Sequence, residues 1–214
     1  MTHRSRTRRL ALLCASTALV TAGLLPSAGA SAAPAPACAA AKHGLALALA
    51  PPPPTEPAGN WVKTTDPPSG ITADLPGTAK VHKASVPVGD ETVEFRAYGV
   101  EVPQDGAAGF TVHDMPGDRF ALEDNLEGYL NAYNQPEDDD GTLTSSQVRR
   151  TTADGRPALD ARLSSSGGAA PEAGSIRIVS DDDHLVMAIT IGPAENRKTL
   201  EEMHERLVSS LRIP

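Results

Sequence analysis

From Trp61 onward, apolar and polar positions alternate over short runs separated by turn residues. Period-two alternation is the signature of a half-buried strand. Ile71–Leu75 is a short strand ended by Pro76-Gly77. Lys80–Val88 and Thr92–Val102 are strands joined across Gly89-Asp90. In the second of these, Val93, Phe95 and Ala97 share one face, whereas Tyr98, Val100 and Val102 share the other. That change of face predicts either a bulge near Gly99 or burial on both sides. Gly109–Asp114 is a further short strand. Thr142–Thr152 and Pro157–Ser164 flank Asp154-Gly155, a strong hairpin signal. In Pro157–Ser164, Leu159, Ala161 and Leu163 face inward, and Asp160 and Arg162 face outward. Ser175–Ser180 and Leu185–Ile191 flank Asp181-Asp182-Asp183. Leu185 to Ile189 is apolar throughout, which places that strand centrally, covered on both faces.

Two segments switch to helical spacing. Over Asp118–Tyr133, Leu122, Leu126, Tyr129, Leu130 and Tyr133 form one apolar stripe. Gly128 weakens this helix by about 1 kcal/mol relative to Ala, so it needs a core to pack on. Over Asn196–Leu211, the stripe is Leu200, Met203, Leu207, Val208 and Leu211. Thr199 and Glu202 resemble a capping box there, with Asn196 as a rival cap. The joins are mostly of hairpin length, so the strands are expected to run antiparallel. The predicted fold class is α+β: a single mostly antiparallel sheet flanked by two amphipathic helices, an α-β-α sandwich.

The residues before Trp61 follow different rules. Arg4, Arg6, Arg8 and Arg9 precede the apolar run Leu10–Leu25, and Ala28-Gly29-Ala30 follows it. This order is that of a secretory signal peptide, assigned to residues 1–33. The apolar run has 16 residues, short of the roughly 20 that cross a bilayer. Arg8-Arg9 leaves the twin-Arg export route open beside the general one. Residues 34–59 are nearly all Ala, Pro and Leu, ending near the run Pro51-Pro52-Pro53-Pro54. They read as a disordered Ala/Pro-rich linker. The folded domain is then expected over 60–214.

Charge and cysteine content narrow the function. The leading segment holds four of the 19 basic residues and none of the 27 acidic ones, so its removal leaves 15 against 27, a formal charge of −12. That balance argues against nucleic acid and against charge-driven binding to anionic lipid. Cys38 alone remains after cleavage, so no internal disulfide forms. Neither Cys14 nor Cys38 sits where the anchoring cysteine of a lipoprotein belongs. A domain of 155 residues buries about 70% of the surface its unfolded chain exposes, enough for a self-sufficient core.

The chain also carries a recognisable series of short motifs. Trp61, Asp66-Pro67, Gly70-Ile71 and Leu75-Pro76 form a W-x-x-x-x-D-P-x-x-G-[IF]-x-x-x-[LF]-P opening. A mid-domain helix, the Asp154 to Ala158 hairpin and a final helix ending in Leu211-Arg212-Ile213 follow in order. This series resembles the PsbP-like sandwich domains, and among them the exported actinobacterial LpqN-type lipoproteins. The resemblance covers about Trp61 to Pro214. It implies an α-β-α fold and a non-catalytic role in binding or assembly, and it transfers no catalytic residue.

Site chemistry is sparse. No G-x-S-x-G elbow and no phosphate-cradling glycine motif occurs, and Ser164 to Gly168 reads as a flexible loop. His43, His82, His113, His184 and His204 show no metal-ligand spacing. His113-Asp114 and Asp183-His184 put a carboxylate beside an imidazole, but adjacent strand residues point to opposite faces, so these are expected as surface histidines. Glu137 to Gly141 fails the calcium-loop test: with Gly141 at position six, position one is Pro136 and position twelve Gln147. It and Asp181 to Asp183 read as solvated loops. No catalytic, cofactor-binding or metal residue is therefore assigned, and no cofactor is expected.

The expected function is an exported, extracytoplasmic binding or scaffolding domain, not an enzyme, whose partner is an unidentified envelope component. An alternative is a carrier of a small apolar ligand in a cavity between the sheet and Leu122–Tyr133. An enzyme of unknown type would instead need a cleft where carboxylates and a histidine from different elements meet.

Overall fold

The structure, a computed structural model, describes residues 60–88, 90–134, 141–167 and 170–214. The expected signal peptide and linker, the Gly89 half of one turn and the Glu137–Asp140 acid run lie outside these residues. Nine strands are described: β1 (Val62–Thr65), β2 (Thr72–Leu75), β3 (Lys80–Val88), β4 (Glu91–Val102), β5 (Gly106–His113), β6 (Thr142–Ala153), β7 (Arg156–Ser166), β8 (Glu172–Ser180) and β9 (Leu185–Pro193). Helix α1 (Leu122–Tyr133) follows β5, and α2 (Arg197–Ser210) follows β9 after a 3₁₀ turn at Ala194–Asn196.

Strands β3 to β9 form one seven-stranded sheet in the order β3-β4-β5-β9-β8-β7-β6, with every pairing antiparallel. The apolar strand β9 occupies its centre, as its composition requires, and is buried along its length to Gly192. The sheet is not the single one expected. β1 pairs with β2 in a separate two-stranded ribbon. β1 is short and largely exposed, so it carries no alternation that the sequence could show.

Successive residues of β9 supply two different apolar clusters. Leu185, Met187, Ile189 and Ile191 pack with Leu126 and Tyr129 of α1 and with Leu159, Leu163 and Ile176. Val186 and Ala188 pack with Leu207 of α2, with Tyr98 and Phe110, and with Ile71 and Leu75 of the ribbon end. This alternation explains the change of face in β4. Its pairing with β5 runs through Gly99 unbroken and that with β3 reaches Gly99 without a shift, so there is no bulge there, and residues of both faces are buried. At about 25 cal/mol per Å² of apolar surface, these two clusters are the main source of stability.

Element ends differ from expectation for local reasons. α1 begins at Leu122 and not at Asp118. The preceding amides are already used: Gly117 N donates to Asp181 O at 2.7 Å and Arg119 N to Pro116 O at 3.1 Å. α2 begins at Arg197, so Thr199 lies inside it and the capping box is not formed. Asn196 is not a side-chain cap either; its Nδ2 donates to Gln104 O at 2.8 Å. The Asp154-Gly155 turn has φ of 51° and 82°, the paired positive values of a type I′ hairpin.

The opening motif has a structural meaning. Asp66 is fully buried, and its carboxylate accepts from Arg96 Nε at 2.6 Å, Arg96 Nη2 at 3.0 Å, Tyr98 Oη at 2.7 Å and Ser69 Oγ at 2.5 Å. Arg96 also bonds both oxygens of Asp114, at 2.6 and 2.5 Å. The turn from Asp66 closes through Gly70 N to Asp66 O at 2.8 Å, with Gly70 at φ 73°. Trp61 lies beneath the Arg206 guanidinium of α2, 4.4 Å from its ring centre. Thr72 and Arg212 exchange backbone bonds of 3.0 and 2.8 Å, which ties the chain end to the ribbon. Together these contacts fasten the ribbon to the sheet and to α2.

Burial pushes the Asp66 carboxyl up, but the bonds from Arg96, Ser69 and Tyr98 and the Arg96 charge outweigh it and hold it below the usual carboxylate range. A lowered folded value adds stability that is present above the unfolded value, about 3.9, and is lost as pH falls through the folded one. Asp66→Asn should therefore cost about 3 kcal/mol at pH 7, the scale of breaking one side of a buried pair. Urea unfolding at pH 7 and at pH 3 checks this; the gap between wild type and variant should shrink at the lower pH.

Candidate functional site

The groove begins with an irregularity in β6. Its register against β7 pairs Ser146 with Arg162, then Arg149 with Asp160. Gln147 and Val148 thus stand opposite the single residue Ala161, a β-bulge with Gln147 at φ 51°. The extra residue reverses which side chains of β6 face which way. Arg150 turns to the α1 side and binds Glu123 of that helix at 2.7 and 2.6 Å. Arg149 turns to the α2 side, in the row Arg149, Asp160, Arg177, Ala188 that crosses β6, β7, β8 and β9. The neighbouring row holds Arg162, Ser175 and Thr190.

Arg149, Asp160, Arg162, Ser175 and Arg177 from these rows line a groove of about 440 Å³, with Glu201, His204 and Glu205 contributed by α2. Asp160 and Arg162 therefore do not face open solvent as expected; they face this groove. Arg177 binds Asp160 through Nε at 2.6 Å and Nη2 at 2.9 Å, and Arg149 Nη2 adds a third bond at 3.1 Å. Arg162 donates to Gln147 Oε1 at 2.8 Å through Nε and to Glu201 Oε1 through Nη1. Burial raises the Asp160 carboxyl, but Arg177 and then Arg149 outweigh it and hold it below the ordinary range.

His204 sits among these groups. Burial and the Arg177 charge push its imidazole down to about 4, against the opposing pull of Asp160. At pH 7 it is neutral. Its Nδ1 is sealed from solvent and has no hydrogen-bond partner. Asp160 is held by arginines, and no described carboxylate or hydroxyl bonds the His204 ring. The groove thus brings a histidine, a serine and carboxylates together without joining them as a proton relay.

The other singled-out residues fall elsewhere. His113 is not on the surface; it is 1% exposed, in the same row as Phe95 and Leu185 and edge-on to the Phe95 ring at 4.9 Å. Burial pushes it down to about 4. His184 is half-buried, with Nε2 3.7 Å from Asp114 and Nδ1 3.6 Å from Asp181. Asp181 also pairs with Arg156, so it is not a solvated turn residue. Asp118, Asp154, Arg156, Asp181 and Asp182 line a second groove of about 500 Å³. Tyr133 donates to Glu172 at 2.6 Å, whereas the Tyr129 hydroxyl is buried without a partner. Among the described residues, no three His, Cys, Asp or Glu side chains are placed to hold a metal ion, and no helix is long and apolar enough to cross a membrane.

No family model matches the chain, and no curated protein matches it. Among solved structures, the solution structure of cyanobacterial PsbP (CyanoP) from Synechocystis is similar at a TM-score of 0.54 and 11% identity, covering 73% of this chain and 94% of that one. The fold is PsbP-like. The crystal structure of LpqN from Mycobacterium tuberculosis, described as involved in cell envelope biogenesis, is similar at a TM-score of 0.41 and 13% identity, covering 72% of this chain and 91% of that one. The PsbP-like resemblance carried by Trp61, Asp66, Gly70 and Leu75 is thus met at the level of fold.

The groove as a whole leaves no pattern in the sequence because its residues come from four elements and its key register depends on the bulge. One signal was available: Asp160 and Arg162 alternate with the inward Leu159, Ala161 and Leu163 of β7, which puts two opposite charges on one face of that strand. Asp160→Asn should destabilise the domain by about 1–2 kcal/mol at pH 7, between an exposed pair and a fully buried one. Because the Asp160 value is lowered on folding, that difference should fade below about pH 4; thermal unfolding across pH checks both.

Proposed function

We propose that the chain is an exported, extracytoplasmic binding or scaffolding domain. In this reading, residues 1–33 direct export, 34–59 act as a tether, and 60–214 form the working domain. The helices would lie on opposite faces of the sheet, an α-β-α sandwich, which the two separate core clusters support. The α2-side groove is its binding surface.

One observation carries the binding role: the groove gathers charged side chains whose hydrogen-bonding capacity is only partly used. Arg149 Nε and Nη1, Arg162 Nη2 and Arg177 Nη1 bond no described group. Arg162 and Arg177 are half-buried and Arg149 is exposed, and donors left open on such a rim suit recognition of a partner. A non-catalytic role is supported by the state of His204, which is neutral and has no carboxylate to orient its ring. The α1 side offers less for the apolar-carrier reading. Leu122, Leu126 and Tyr129 are in contact with the sheet residues Leu163, Ile176 and Ile178.

A photo-crosslinking residue at Glu205 tests this in the full chain, with one at Val81, exposed on the far edge strand, as control. The Glu205 position should give a discrete adduct in the extracytoplasmic fraction that Arg162→Glu abolishes and the Val81 position does not give. Retention of uncleaved chain in the cytoplasm, or equal labelling from both positions, would contradict the reading.

A further inference from the structure

The open donors along the groove share one chemistry, which names a ligand class. His204 lines the groove, its Nδ1 is sealed and unpartnered, and its Nε2 is neither sealed nor bonded to a described group. A neutral imidazole carries one proton, on either nitrogen. A buried N–H without an acceptor is rarer and costlier than a buried acceptor without a donor. The proton therefore belongs on Nε2, and that N–H points its bonding capacity at the groove.

The arginines contribute in the same direction. Arg177 keeps Nη1 open, Arg162 keeps Nη2 open, and Arg149 keeps two nitrogens open, while Asp160, Glu201 and Gln147 accept from the rest. Guanidinium forks match the geometry of carboxylate and phosphate oxygens. Three of them on adjacent strands, with an imidazole N–H from the facing helix, form a donor set with no acceptor yet supplied. The volume of about 440 Å³ is that of a small-ligand site. Asp160, Glu201 and Glu205 balance the three guanidiniums in charge, so attraction rests on directed hydrogen bonds, and affinity belongs in the millimolar range.

We propose that this groove binds a small oxyanion, the phosphate or carboxylate group of a polar ligand, between Arg162, Arg177 and the Nε2–H of His204. The inference rests on the groove being the binding surface and adds the chemistry of what it holds. It goes beyond the binding role in assigning His204 a donor function and Glu201 the role of a competing internal anion. Arg162 and Glu201 are each more than a third exposed, so both can be altered without opening the core.

The test is titration of the full chain at pH 7 with inorganic phosphate and, separately, with succinate, at constant ionic strength. The side-chain N–H signals of arginine and histidine report binding by NMR. Saturable shifts of the Arg162, Arg177 and His204 signals are expected with at least one of the two anions. Arg162→Gln should weaken that binding about tenfold, the effect of losing one charge-assisted bond, and Glu201→Gln should tighten it a few-fold by removing the competing carboxylate. Tighter binding of phosphate assigns a phosphate ligand, and the reverse order assigns a carboxylate. No saturable response to either anion, or a response that neither substitution alters, overturns the proposal. If the Glu205 crosslink survives such a failure, the binding role stands and only the ligand class falls.

Discussion

The seven-stranded sheet has apolar clusters packed on successive residues of its central strand, and most of the structure follows from that. A strand with one wet face can carry charges freely at every second position. β9 carries none, β5 carries His113, and β8 carries Arg177 and, at its first position, Glu172. Charges that do enter the sheet must come with partners, since an unpaired ion in such surroundings costs several kcal/mol. Arg96 meets Asp66 and Asp114, and Arg177 meets Asp160. The first set holds the β1-β2 ribbon against the sheet. The second borders the groove.

The two sets differ in what they leave over. In the Asp66 cluster, a fully buried carboxylate is saturated by Arg96, Tyr98 and Ser69, and the arrangement is structural. In the groove, the carboxylates are outnumbered in bonding capacity by the guanidiniums around them. The β6 bulge produces this difference. By moving Arg149 onto the α2 side it adds a third guanidinium there, and by the same shift it gives Arg150 to Glu123 on the other side. A single extra residue thus serves both the anchoring of α1 and the composition of the groove.

Much of the fold was legible in the sequence. The alternation of β7, the two apolar faces of β4, the apolar run of β9, the Asp154-Gly155 turn and both helical stripes are local signals, and each appears in the structure, the strands near their expected bounds. β1 was not legible, because Val62–Thr65 is short and gains its order only by pairing with β2. The helix starts were misplaced where backbone amides bond across the chain, as at Gly117 and Asp181. The histidines show the limit most clearly. Adjacency to Asp114 or Asp183 said nothing about burial, which register decides: His113 falls on the Leu185 row, and His204 meets the Asp160 row across the groove. Residues gathered from four elements leave no spacing in the sequence.

His113 of β5 and His204 of α2 are both held neutral chiefly by burial, so one measurement reads both. A histidine carbon NMR titration of the full-length chain follows each imidazole separately. With both faces covered, the two rings should stay neutral down to about pH 4, well under the unperturbed value of about 6.5. A midpoint near that unperturbed value for His113 would mean the α1 side of β5 is open to water, and for His204 that the α2 side is. Either result would contradict a sheet buried on both faces.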